Sequence, residues 1–441
     1  MSKFELTRRQ LVHGTAGIAA GAVGSRLLGG MRPAAAQDLK ITPEEGATLR
    51  VTRWSPFVAG DETAWIANTE NFTKETGIQV RIDKESWEDI RPKAAVAANV
   101  GSGPDIMWVW FDDPHQYPDK LLDVTELADY LGGKYGGWYD GPKSYATRDG
   151  KFVGLPLATI GNAVVYRKSL VKAAGFDEFP KDTAGFLKLV QALKKNGLGA
   201  GFTHGHGVGD GNNYAHWLLW SHGGKMVDGQ GNVTINSPET IEAIKYASEL
   251  YKNFVPGTES WLDVNNNRAF LANQVSCIAN GVSAYYAAKK DPALAEIAAD
   301  IGTTNFPIGP SGQNAELYQV TSAVIFKYTK YPKAAMAYLQ YMFEKPQMDA
   351  WIESSSAYCC QTLKAYADNP IWKSDPVFAP YAKASETLRA NGYAGPLGPA
   401  SAGTMADYVL VDMFAEAVTG QRSPEEAAKR AEDRAKRYYR T

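Results

Sequence analysis

Three short clusters set an indole ring beside polar side chains where a strand should end: Trp54-Ser55-Pro56-Phe57, Glu85-Ser86-Trp87 and Trp110-Phe111-Asp112-Asp113. A molecule with apolar C–H faces and hydroxyl edges needs this mixture. Flat aromatic rings cover the C–H faces, while carboxylates, amides and backbone groups take the hydroxyls. Trp54, Phe57, Trp87 and Trp110 are therefore candidate platforms. Pro56 forces the first of these loops open. Two later tyrosines, Tyr318 and Tyr393, stand in loops that could close over such a site. Trp217 and Trp220 lie three apart after Gly211-Asn212-Asn213-Tyr214, on one face of an expected helix. Each aromatic has a plainer reading as core, and Asp113 before Pro114 could serve only as a helix N-cap.

The chain shows no reaction machinery. It has neither the His-Glu-x-x-His pattern of zinc hydrolases nor a Gly-x-Ser-x-Gly elbow. The glycine-rich run from Gly205 to Gly211 misses the dinucleotide-loop spacing in every register. His204, His206 and His216 could gather with Asp210 around a metal, but histidines in a flexible loop are more often simple polar residues. The expectation is no catalytic residue, no metal and no cofactor.

These clusters need a scaffold that brings strand ends together. Residues 48–54, 78–83 and 105–110 read as strands, alternating with helices over 62–76 and 89–100. Gly77 stands where a left-handed residue would end the first helix. Such alternation implies an α/β fold with a mostly parallel sheet covered on both faces. Extended runs follow at 152–156, 163–167, 275–279 and 320–326, with helices at 183–196, 238–253 and 330–343. The last hundred residues read as helical, and Ser423-Pro424-Glu425-Glu426 carries an N-cap, a first-turn proline and a capping-box glutamate. Residues 37–46 are polar and expected to be loose. No linker separates independent domains.

With 441 residues and 44% hydrophobic content, the chain can fill two lobes. Five basic side chains among the first 36 residues oppose Glu5 alone. The rest holds 41 basic and 47 acidic residues, net −6. A mildly acidic body without a basic stripe argues against nucleic acid as a partner. The start, with Arg8-Arg9 ahead of a Gly/Ala-rich stretch ending at Ala34-Ala35-Ala36, reads as an export signal cleaved after Ala36. Its paired arginines resemble the twin-arginine motif. Cys277, Cys359 and Cys360 form no disulfide framework and are expected as buried thiols.

Several segments in order resemble extracellular solute-binding protein family 1, the maltose and glycerol-phosphate type binding proteins of ABC importers. They are Phe72-Thr73-Lys74-Glu75-Thr76-Gly77-Ile78; Gly101-Ser102-Gly103-Pro104-Asp105-Ile106; Val153-Gly154-Leu155-Pro156 followed by Val165-Tyr166-Arg167-Lys168; Trp220-Ser221-His222-Gly223-Gly224; Phe270-Leu271-Ala272-Asn273-Gln274 with Ile278-Ala279-Asn280-Gly281; and Phe306-Pro307-Ile308-Gly309-Pro310. The resemblance implies a two-lobe, type II periplasmic binding-protein fold, each lobe a mixed, mostly parallel sheet flanked by helices, with ligand in the cleft. The first lobe would take residues 37–158 and 303–343, and the second 162–300 and 347–441, with crossings near 158–162, 301–305 and 343–347.

It also implies site residues. Asp112 stands where relatives bind a sugar hydroxyl, although Asp113 replaces their next residue, an arginine. Asn162 falls at the first crossing. Asn213 replaces a stacking tyrosine. Asn280 and Gly281 would line the cleft, with Ser283 in place of a tryptophan platform. The expected protein is a monomeric periplasmic component that delivers a small sugar or polyol to ABC permease subunits in the inner membrane. Two ligand alternatives stay open. One is a polyamine held by Asp112, Asp113 and Glu85, and the other a glycerol-phosphate-like anion. A third reading is an exported carbohydrate-active enzyme.

Overall fold

The computed structural model describes residues 39–440, so the arginine pair and the Ala36 cleavage point lie outside the described residues. Among the described residues, two sheets carry the fold. Their strands, in chain order, are β1 (Thr48–Trp54), β2 (Gln79–Glu85), β3 (Ile106–Trp110), β4 (Leu155–Ile160), β5 (Ala163–Arg167), β6 (Cys277–Asn280), β7 (Ile301–Thr304), β8 (Gln319–Ile325) and β9 (Cys359–Cys360). The first sheet has the order β9-β4-β8-β3-β1-β2 and the second β6-β5-β7.

The expected alternation holds at the start of the chain. β1 pairs in parallel with β2 and β3, and helices Ala59–Thr76 and Ile90–Val100 make the crossovers that parallel neighbours need. Gly77 ends the first helix at φ 76°, its N–H returning to the Thr73 carbonyl at 2.8 Å.

Elsewhere the pairing departs from a mostly parallel arrangement. β8 runs antiparallel to β3 and β4, β9 antiparallel to β4, and β5 antiparallel to both β6 and β7. The reason is the number of crossings. Strands β1 to β4 and β6 run toward the other lobe, whereas β5, β8 and β9 begin beside it and run away. A strand entering from the cleft therefore meets its neighbours head to tail.

The second and third crossings also sit later than expected. Residues 306–311 stay with the second lobe, where Ser311 donates its backbone N–H to the Ser221 carbonyl and Ile308 pairs with Asp182. Helix Lys345–Ser354 stays with the first lobe. There the Trp351 indole donates to Asp61 at 2.7 Å, and the Asn68 amide to the Gln347 carbonyl at 3.1 Å. By residue 377 the chain has returned to the second lobe, its Val377 carbonyl accepting from Thr303. These contacts replace the boundaries at 303, 343 and 347.

The polar segment expected to be loose is tied down from Leu39 onward. Glu44 accepts from the backbone N–H groups of Lys333 and Ala334, both at 2.9 Å, at the start of helix Pro332–Met342. That satisfies orphan donors and places a negative charge at the positive helix end. Ser423 caps helix Pro424–Tyr438 in the expected box with Glu426. The three thiols are free and buried, and burial pushes Cys277 and Cys360 up to about 12.

Candidate functional site

The loops at the facing ends of the two sheets enclose one cavity, and both lobes contribute to it. Its first-lobe wall is aromatic. Trp87, just past β2, lies over Trp110 with ring centroids 4.3 Å apart and meets Phe57 edge-on at 5.1 Å. The Trp110 indole donates to the Trp87 carbonyl at 3.1 Å, which fixes the backbone under the platform. The Trp87 indole N–H is buried without a protein partner. Tyr358 completes this wall. It follows Ser356 and Ala357, whose φ values of 53° and 63° turn the chain sharply after the helix.

The second-lobe wall is polar and centres on the start of helix Asp210–Ser221. Asp263 accepts from the backbone N–H groups of Val208 at 2.6 Å, Gly209 at 3.0 Å and Asp210 at 2.7 Å. It does the work of an N-cap from a distant segment, a favourable place for a carboxylate. Burial nevertheless pushes its pKa up to about 6 against those bonds. The Asp210 carboxylate takes Asn162 at 2.9 Å and Asn266 at 2.6 Å. Burial, with the Asp263 charge second, holds Asp210 well above the usual carboxylate range. Asn213, one turn along the helix, presents a buried side-chain oxygen with no partner.

Between the walls lie the crossings. Asn162 and Gly161 link β4 to β5, and Gln319 opens β8. Gly281 packs so closely that a Cβ there would come 3.2 Å from the Gly161 carbonyl oxygen. Asn280 bonds Asn267 and accepts from Ser283 at 3.1 Å. The cavity between the walls is small, about 30 Å³. A wider cavity of about 650 Å³, lined by Tyr166, Lys289, Ile301 and Val377, belongs to the second lobe and shares no lining residue with the cleft.

Of the residues singled out from sequence, the structure brings together Phe57, Trp87, Asn162, Asn213, Asn280 and Gly281. It places the others away from the cavity. Trp54 is fully buried, donating to Asp61 at 3.1 Å and packed on Trp108 at 4.5 Å, because the last side chain of β1 points toward the helical layer. Trp110 sits behind Trp87. Trp217 is core, bonded to the Pro307 carbonyl at 2.9 Å. Tyr318 turns inward to Glu316. Tyr393 stacks against the Arg389 guanidinium at 4.2 Å.

Asp112 is buried under the segment that follows Arg389. The chain's own Ser401 hydroxyl and Asn391 amide donate to it at 2.6 and 2.8 Å. A hydroxyl does reach Asp112, but it is an internal one. Sequence reasoning missed Asp210 as a cleft residue, and also Asp263, Gln319 and Tyr358. Asp263 carried no local signal, since its partners lie more than fifty residues away. Gln319, at the head of a readable strand, could have been found.

The sequence matches, over residues 67–380, the family described as bacterial extracellular solute-binding protein. The chain belongs to that family. Among curated relatives of this solute-binding protein, the putative ABC transporter periplasmic-binding protein YcjN of Escherichia coli K12 is 24% identical over 317 residues, 68% of each chain. A probable ABC transporter-binding protein of Deinococcus radiodurans is 26% identical over 246 residues, 53% of this chain and little more than half, 56%, of the relative. The fold matches maltose-bound MalE3 of T. maritima with a TM-score of 0.77, at 19% identity, over 88% of this chain and 99% of that one. A ribitol complex of an ABC transporter solute-binding protein from Agrobacterium radiobacter K84 matches at 0.74, with 18% identity, over 90% and 100%. The solute-binding protein thus has the two-lobe architecture of these sugar- and polyol-bound structures.

Proposed function

We propose that this protein captures a small carbohydrate or polyol between its lobes and delivers it to the permease of an ABC importer. The observation that carries this reading is the division of labour in the cleft. Aromatic faces from the first lobe oppose amides and carboxylates from the second, which matches the two kinds of surface a sugar ring presents. Phe57, Trp87 and Tyr358 cover C–H faces. Asn162, Asn213 and Gln319 offer unpartnered buried polar atoms to hydroxyls.

Both lobes contribute, so a ligand that bridges them favours the closed arrangement, and the permease reads that closure. The protein works as a monomer in the periplasm after export. No helix among the described residues is long and apolar enough to cross a membrane.

No lysine or arginine lines the cavity, which disfavours a phosphate-bearing solute. The carboxylates first nominated for a polyamine are engaged elsewhere. Asp112 holds Ser401 and Asn391, Asp113 pairs with Arg91, and Glu85 pairs with Lys93.

A thermal-shift screen of the purified protein against sugars, polyols, amino acids, polyamines and phosphate esters tests the reading. A ligand at about 100 times its Kd adds about 2.7 kcal/mol of stability. Stabilisation by a sugar or polyol is expected. A response only to phosphate esters or amino acids would overturn the proposal.

A further inference from the structure

We infer that the solute carries a protonated amine among its hydroxyls, as an amino sugar or amino polyol does, and that this ammonium pairs with Asp210. The inference rests on the binding reading above and narrows its ligand class. Its basis is how this chain treats its other buried carboxylates. Asp61 is paired with Arg53 and Asp113 with Arg91. Glu316 gathers Asn305, the Phe306 N–H, Asn314 and Tyr318. Asp263 takes three backbone N–H groups at a helix start.

Asp112 is likewise held by two neutral donors, Ser401 and Asn391, but it lies away from the cavity, whereas Asp210, with two amide donors and no cation, shares the cleft wall with Asp263. No lysine, arginine or histidine lines that cavity. A buried carboxylate without a countercharge is costly, and a ligand cation would supply one. Opposite stand the rings of Phe57, Trp87 and Tyr358, and aromatic faces attract ammonium groups.

The hydroxyls follow from the remaining polar atoms. Four side-chain atoms in the lining are buried and unpartnered: the donors Trp87 Nε1 and Gln319 Nε2, and the acceptors Asn162 Oδ1 and Asn213 Oδ1. A protonated polyamine offers donors only and would leave both donors unsatisfied. A hydroxyl donates and accepts, so a hydroxylated ammonium satisfies all four atoms and the carboxylate together.

Calorimetric titration with matched pairs tests this: glucosamine against glucose, galactosamine against galactose, mannosamine against mannose, and glucamine against sorbitol. The expected result is at least one amine binding tenfold or more tighter than its hydroxyl partner at pH 7, a margin that shrinks with added salt. Asp210→Asn should abolish the margin. The wild-type pairs decide the matter even if that variant folds poorly. Neutral sugars binding as tightly as their amines would overturn the inference and leave the sugar-binding reading standing. Spermidine binding more tightly than every amino sugar would overturn it through the polyamine class. Failure of every sugar and polyol, charged or neutral, would overturn both.

Discussion

Asp61 is the hub behind the aromatic wall, and removing its charge should be severe. One carboxylate oxygen accepts from Arg53 and from Trp54 at 3.1 Å, and the other from Trp351 at 2.7 Å. Both ionic partners are fully buried. Asp61→Asn keeps the shape but strands the Arg53 guanidinium between indole rings, 4.3 Å from the Trp108 centroid. That cation–ring contact exists before and after the change, so it offsets none of the loss. The new amide nitrogen also faces N–H donors. Breaking a buried pair in this way costs about 3–5 kcal/mol.

Burial pushes the Asp61 carboxyl up, with the Arg53 charge opposing it, which marks a pair already carrying a large desolvation cost. Replacing both ionic partners by apolar groups, Arg53→Met with Asp61→Leu, removes the stranded charge and should recover part of that loss, the remainder reflecting the Trp54 and Trp351 indoles left without an acceptor. The assay is urea unfolding followed by tryptophan fluorescence for wild type, the single and the double variant. A single variant within about 1 kcal/mol of wild type, or a double variant worse than the single, would refute the reasoning.

Trp87→Ala removes the platform and its free indole N–H, and should weaken ligand binding by about 2 kcal/mol, roughly thirtyfold in Kd by calorimetry. Asp112→Ala should lower the unfolding free energy measured in urea by about 1–3 kcal/mol through loss of Ser401 and Asn391, while the Kd for ligand changes less than for Trp87→Ala. His204 is buried beside Tyr214, and burial lowers its pKa from 6.5 to about 3. The unfolded ring gains its proton near 6.5 and the folded ring only near 3, so this contribution to stability is lost as pH falls through that window. His204→Phe should escape the loss, gaining on wild type by about 1.4 kcal/mol per pH unit between pH 6 and pH 4 in parallel denaturation curves.

Much of the scaffold was legible because it rests on local rules. Residues 48–54 and 163–167 were read as strands with the bounds the structure shows, since β-branched residues bounded by polar turns leave little choice. Gly77 and Ser423 declared their helix ends through conformational freedom and a capping side chain. The order of the weak motifs from Phe72 to Pro310 carried the family because colinearity survives where identity does not.

The site was only half legible. An aromatic at a strand end can face the cleft or the helices, and Trp54 and Trp87 look alike in sequence. The strand's final direction sends Trp54 to Asp61 and leaves Trp87 on the cavity. Asp112 and Asp210 are both short acids at the start of a turn or helix. A loop nearly three hundred residues along covers the first, and Asp263 places the second. The sequence by itself determined many of the strands and helices, their caps and the family, because each rests on local rules or on the order of motifs. Only the tertiary structure decided which polar groups remain without internal partners. Satisfaction of a buried atom depends on neighbours brought from anywhere in the chain, and no local pattern reports them.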